Sequence, residues 1–216
     1  MKNIAYNNLK QQFFTLWKEL GAKNPGYEFE LLTKQYLEPE RFYHTLEYHI
    51  SNVLSEFDSV KYLAKNPKAI KLALFYHDAI LDPMGKDNEE KSAQLLLSLE
   101  DRSGINHNII VDASSLVMAT KRQSVPVTID EKIVVDCDWA ILGKSKEEFD
   151  IYNHKIRQEY LFVPKEAYSE KRIEILQNFL DKPSLYHLEY FKDKYTTQMK
   201  KNLERTINNI RNGIVY

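Results

Sequence analysis

The stretch Pro67-Lys68-Ala69-Ile70-Lys71-Leu72-Ala73-Leu74-Phe75-Tyr76-His77-Asp78 decides the reading of this chain. Ile70, Ala73, Leu74 and Phe75 recur at helical spacing, and Pro67 suits the first turn, where its missing N–H is no loss. The pattern predicts a helix that starts at Pro67 and loses its periodicity at Asp82-Pro83. An apolar helix ending in an imidazole and a carboxylate carries two good ligands for a divalent metal to the point where it leaves the core.

Outward from this stretch the spacing is helical nearly everywhere. Ile4, Leu9, Phe13, Leu16, Trp17 and Leu20 mark one face of a first helix, stopped by Gly21 and the Asn24-Pro25-Gly26 turn. Further helices are predicted over about 27–37, 42–57, 88–99 and 105–120, with His44 and His49 on the 42–57 helix. Lys121 to Thr128 is irregular. Asp130 is a candidate cap for a helix through Leu142, ended by Gly143. Ser145 with Glu148 forms a capping box for the next, and Pro164 starts another. Leu188 to Ile210 makes a long last helix, whose Phe191, Tyr195, Leu203, Ile207 and Ile210 offer a face for a partner helix or a homo-oligomer. With no repeat and no long linker, the expectation is one all-α domain over 1–216: a helical bundle with added N- and C-terminal helices.

Composition agrees and narrows the classes. Hydrophobic residues make up 43% and charged residues 28%, a globular balance. Thirty Lys+Arg against 31 Asp+Glu give a formal net charge of −1, so no basic field grips nucleic acid. The 6 glycines in 216 residues are about 3%, against about 7% in average usage. Tight hairpins and phosphate-cradling glycine loops therefore start weak. Cys137 alone makes neither a disulfide within the chain nor a cysteine-based zinc site. The N-terminus lacks the apolar run of a signal peptide, and no window approaches the roughly 18 apolar residues that cross a bilayer. A cytoplasmic protein without a membrane segment is expected.

Two more groups of ligand-type residues accompany the His77-Asp78 pair. His44 lies 33 residues before His77. Asp136 and Asp138 interrupt the apolar run Ile133-Val134-Val135-Asp136-Cys137-Asp138-Trp139-Ala140-Ile141-Leu142. A buried carboxylate needs a partner, and a metal supplies one. Two residues apart on a helix is about 200°, so Asp136 and Asp138 do not easily serve the same ion. Cys137 between them reads as a small buried hydrophobe.

In the order His44, His77-Asp78, Asp138, the chain resembles the HD superfamily of metal-dependent phosphohydrolases, and more narrowly a bacterial branch of it. Four stretches carry the likeness: Tyr43-His44-Thr45-Leu46-Glu47-Tyr48-His49-Ile50; Tyr76 to Pro83 together with Asp87 to Ala93; Asp136 to Gly143; and Tyr152 to Arg157 with Glu159 and Tyr160. They spread over about 41–186, with a motif-bearing core of about 41–162. The resemblance implies an all-helical fold with one divalent ion (Mn, Fe, Co, Ni, Mg or Zn) on His44, His77, Asp78 and Asp138. It places Asp138, second in its Asp-x-Asp stretch, as the final ligand. Relatives that hold two metals have extra histidines between the His-Asp pair and the final Asp. Only His107 lies there in this chain, and Lys121-Arg122-Gln123 follows Thr120, which disfavours a dinuclear site and diiron oxygenase chemistry.

The mechanism implied is hydrolysis of a small phosphate ester, a nucleotide above all, with Asp78 and Asp82 as catalytic groups. Asp82, four residues past Asp78 on a continued helix, would share its face and orient a water or move a proton. It also resembles the second acidic motif of the family's stringent-response hydrolases, although Leu81 stands where that motif has Glu. His49, some 140° from His44 on an α-helical wheel, is a substrate contact or a packed histidine. Lys121, Arg122, Arg157 and Tyr160 are candidates for holding phosphate, with a structural role as the alternative for Arg157 and Tyr160. Glu47 could hydrogen-bond a ligand or be a solvated charge, and Asn88 and Glu89 could support the site or cap a helix. The competing function is a metal- and nucleotide-binding regulatory protein that performs no catalysis. A helical scaffold in which the motif is a relic is a third.

Overall fold

The computed structural model describes residues 2–215. Its elements, in chain order, are α1 (Lys2–Glu19), α2 (Pro25–Tyr36), a π-helical turn (Leu46–Ile50) running into α3 (Ser51–Val60), a 3₁₀ turn (Lys61–Leu63), α4 (Pro67–Tyr76), α5 (Asn88–Leu97), α6 (Glu100–Ser103), α7 (His107–Ala119), α8 (Ile129–Trp139), a second 3₁₀ turn (Ala140–Gly143), α9 (Lys146–Glu159), α10 (Lys165–Leu180) and α11 (Glu189–Arg211). Among the described residues there is no strand, so the fold is all-α. No helix among them is long and apolar enough to cross a membrane. The chain divides into two compact units, Met1–Cys137 and Asp138–Tyr216, and the cut falls inside α8.

The first unit is built around α4. Ile70, Leu72, Ala73, Leu74 and Phe75 are fully buried, and α7, α1, α3 and α5 pack against the helix that carries them. Phe13 of α1 meets Phe75 edge-on at 5.2 Å and stacks on Trp17 at 4.1 Å. Such pairs add about 0.5–1.5 kcal/mol beyond their buried area. Asn66 caps α4, its Oδ1 accepting from the Ala69 N–H at 3.2 Å. Asp130 does not cap its own helix: it lies in the first turn of α8, and its carboxylate accepts from the Lys65 and Asn66 N–H groups at 2.8 and 2.9 Å.

Two helix ends differ from their sequence readings, and both shape the site. Helix α4 stops at Tyr76 instead of running to Asp82-Pro83. The carbonyls freed by the early stop find donors elsewhere. The segment predicted as one helix over 42–57 begins only at Leu46, with Thr45 extended and its Oγ1 accepting from the Tyr48 N–H at 3.2 Å. The Ile50 N–H then reaches back five residues to the Thr45 carbonyl at 3.2 Å, so the first turn is wider than an α turn.

In the second unit the Ser145–Glu148 capping box forms as the sequence predicts, with both bonds present. Gly143 lies where an added Cβ would fall 2.8 Å from the Tyr195 carbonyl oxygen, so backbone meets backbone there. Asn202, fully buried, donates to the Leu142 and Lys144 carbonyls at 3.1 and 2.9 Å. Phe191, Tyr195, Leu203, Ile207 and Ile210, the face the sequence offered to a partner, are buried within the chain itself.

Candidate metal centre

His77 is the first residue past α4, held there by its N–H bond to the Ala73 carbonyl at 2.8 Å. Its ring is 1% exposed, and Nδ1 lies 3.1 Å from the Leu74 carbonyl. A carbonyl only accepts, so Nδ1 carries the proton and Nε2 of the neutral ring presents a lone pair. His49, on the π turn and also 1% exposed, points its Nε2 at the same place, with Nδ1 3.2 Å from the Tyr43 hydroxyl.

The two Nε2 atoms are 2.9 Å apart, and Asp78 Oδ2 lies 3.0 Å from that of His49 and 3.3 Å from that of His77. Asp78 Oδ2 accepts, as does His77 Nε2 when Nδ1 carries the proton, while His49 Nε2 donates or accepts according to its tautomer, and the three atoms form a nearly equilateral triangle. One proton relieves one edge of it, whereas a cation above the face serves all three corners. With metal–ligand bonds of about 2.1 Å, neighbouring ligands lie about 3.0 Å apart at 90° and about 3.4 Å apart at the tetrahedral angle, close to the 2.9, 3.0 and 3.3 Å of these edges. Asp138, near the end of α8, supplies a fourth ligand atom. The atoms offered by His49, His77, Asp78 and Asp138 all lie within 4.8 Å of one another, so this group could hold a metal ion.

The electrostatics point the same way. Burial pushes the Asp78 carboxyl up, but the positive charge that His77 carries when protonated, the hydrogen bonds that His49 and His77 donate in that state, and the charge of a protonated His44 outweigh it and hold the group well below the usual carboxylate range. The carboxylate is ionised and answers to positive charge from several sides.

Support comes from the ends of the two ligand-bearing segments. Arg41, 8% exposed, donates from Nη1 to the Asp78 carbonyl at 2.6 Å and the His44 carbonyl at 3.2 Å, and from Nη2 to the Ala79 carbonyl at 2.8 Å. Its guanidinium lies over the Tyr36 ring at 5.0 Å. The Tyr36 hydroxyl in turn donates to the Phe75 carbonyl at 2.9 Å, near the end of α4.

The structure redistributes several roles. His44 falls outside the group of four; its ring lies edge-on to Tyr43 at 5.0 Å and to His49 at 5.4 Å. His49 takes the place among the ligand atoms that the sequence reading gave to His44. The 140° separation assumed an α-helix over both residues, but His44 precedes the helix and His49 sits on a π turn. Asp82 is not on a continued helix: it is exposed, and its Oδ1 accepts from the Met84 N–H at 2.9 Å. Asn88 neither caps nor reaches the cluster. Its side chain braces the Asp82 backbone, accepting from the N–H and donating to the carbonyl, both at 2.9 Å.

Lys121 pairs with Glu90. Arg157 donates to the Tyr160 and Val163 carbonyls at 2.5 and 3.2 Å and lies over the Tyr168 ring, closing the end of α9, where Tyr160 is the C-cap. Arg122 is exposed, and Glu47 and Glu89 are half-buried, none of the three within the group of four. The sequence reading did not find Arg41; its signal, an arginine three residues before His44, is visible only once the turn at 77–80 is known. Comparison with protein-family models, with curated proteins and with solved structures gives no match for this chain.

Proposed function

We propose that this chain is a metal-dependent phosphohydrolase acting on a small phosphate ester, a nucleotide above all, through one divalent ion on His49, His77, Asp78 and Asp138. The observation that carries the reading is the convergence of two imidazole Nε2 atoms and Asp78 Oδ2 within 2.9–3.3 Å, with the far nitrogen of His77 held by a carbonyl. Two histidines and two carboxylates suit Mn, Fe, Co, Ni or Zn by ligand type. An ion of this kind, when bound, lowers the pKa of a coordinated water and neutralises charge on a phosphate oxygen. The chain's own part is positional. Leu74 fixes the His77 tautomer, Tyr43 faces the far nitrogen of His49, and the ionised Asp78 supplies charge. His44, beside His49, is the nearest further imidazole and belongs to the substrate side of this proposal.

A second reading, nucleotide binding without turnover, draws on Asp82. Its carboxylate is engaged in the turn at Met84, so the group assigned to water activation is occupied elsewhere. One experiment separates the two. Purified protein is assayed on a panel of nucleotides and simple phosphate esters with added Mn²⁺, Co²⁺, Ni²⁺ or Mg²⁺. Turnover that requires metal and disappears in Asp78→Ala supports hydrolysis. Metal-dependent nucleotide binding without turnover on any ester supports the regulatory reading, and metal-free protein that binds neither metal nor nucleotide overturns both.

A further inference from the structure

We propose that Arg41 is the positioning residue of the metal centre: its guanidinium ties together the segment leading to His49 and the turn bearing His77 and Asp78, and so sets the Asp78 carboxylate against the two Nε2 atoms. The inference rests on the metal reading above and deepens it.

Arg41 gathers three carbonyls that no helix satisfies. Those of Asp78 and Ala79 belong to the turn left when α4 stops at Tyr76, and that of His44 belongs to the extended approach to the π turn. A planar fork with fixed N–H directions can hold three such acceptors in one arrangement, which a lysine ammonium on a flexible stem cannot do. The Asp78 carbonyl it holds at 2.6 Å belongs to the same residue whose Oδ2 closes the triangle of ligand atoms. Fixing that carbonyl fixes the Cα from which the carboxylate reaches the two Nε2 atoms.

The residue is poorly explained by stability alone. Its hydrogen-bond partners are backbone carbonyls, and its buried Nε–H has no hydrogen-bond partner. A charge buried on such terms stabilises little compared with an apolar side chain of the same volume. The Tyr36 ring beneath the guanidinium holds the fork in its plane.

The test uses Co²⁺ as the probe, with titration calorimetry and the visible cobalt spectrum read at a temperature where every variant is folded by circular dichroism. Wild-type protein is compared with Arg41→Lys, Arg41→Gln and the control Ser145→Ala. The control removes the α9 capping box, which lies outside the group of four ligand residues. Both Arg41 variants are expected to bind Co²⁺ about 10- to 100-fold more weakly, in the range of outer partners of metal ligands, with an altered cobalt spectrum. Ser145→Ala is expected to lower the melting temperature and leave the cobalt Kd unchanged. Arg41→Lys folds with its charge retained, so the comparison stands even if Arg41→Gln does not fold. Wild-type affinity in Arg41→Lys, or a loss in Ser145→Ala equal to that in the Arg41 variants, overturns the proposal while leaving the metal reading intact. Failure of the wild type to bind Co²⁺ overturns both.

Discussion

His49 and His77 bring their Nε2 atoms within 2.9 Å, a separation met either by one N–H donating to the other nitrogen or by two ligands of one cation. Their roles are therefore tested most directly by removing each ring in turn. His49→Ala and His77→Ala are expected to abolish stoichiometric metal uptake, measured by elemental analysis after dialysis, whereas His44→Ala retains it. The reverse pattern at His44 and His49 would restore the ligand set that the sequence suggested. Tyr43→Phe removes the hydroxyl 3.2 Å from His49 Nδ1 while keeping the buried ring. It is expected to weaken metal binding about 10-fold, as loss of an outer partner does, with little change in melting temperature. The pair His77-Asp78 was legible because an apolar helix ran straight into it. The choice between His44 and His49 was not, because a wheel drawn at 100° per residue presupposes the α-helix that this segment does not form.

At the scale of elements, the starts of helices were more readable than their ends. Ser145 with Glu148, and Pro67, announced α9 and α4 through local chemistry confined to one turn. The end of α4 depends on donors far away in sequence, Arg41 and Tyr36, which no local pattern can reveal. Ser145→Ala should cost about 0.5–2 kcal/mol in urea unfolding, with metal content unchanged because the capping box belongs to α9, outside the group of four ligand residues. Gly143→Ala is expected to destabilise more strongly, since the new methyl group would meet the Tyr195 carbonyl oxygen at 2.8 Å and its Cα at 2.9 Å. Both measurements sort elements that merely frame the chain from those that aim its ligands.

For the whole molecule, low glycine content and unbroken helical spacing were enough to read an all-α fold, since both act over the full length of the chain. The division at Cys137 and Asp138 had no such signal: it falls within a helix and not at a linker, so composition does not change there. If metal binds the folded chain and not the unfolded one, stability must rise with metal concentration. At 100 times Kd the gain is about 2.7 kcal/mol. A rise in melting temperature with added Mn²⁺ or Co²⁺, absent in Asp78→Ala, is the expected calorimetric outcome. No rise in the wild type at saturating metal would mean that the four side chains serve packing alone.

The wide turn at Leu46–Ile50 carries one consequence for how such a sequence can change over time. A π turn holds one residue more than an α turn, so the spacing between Thr45 and Ser51 behaves as an insertion fixed in place. Point changes at the half-buried Glu47 and the exposed Tyr48 leave the imidazole of His49 where it is. Loss of a single residue would let the helix relax to its ordinary pitch and swing everything before the deletion about 100° around the axis. Divergent versions of this chain should therefore vary at Glu47 and Tyr48 while keeping the length of the stretch.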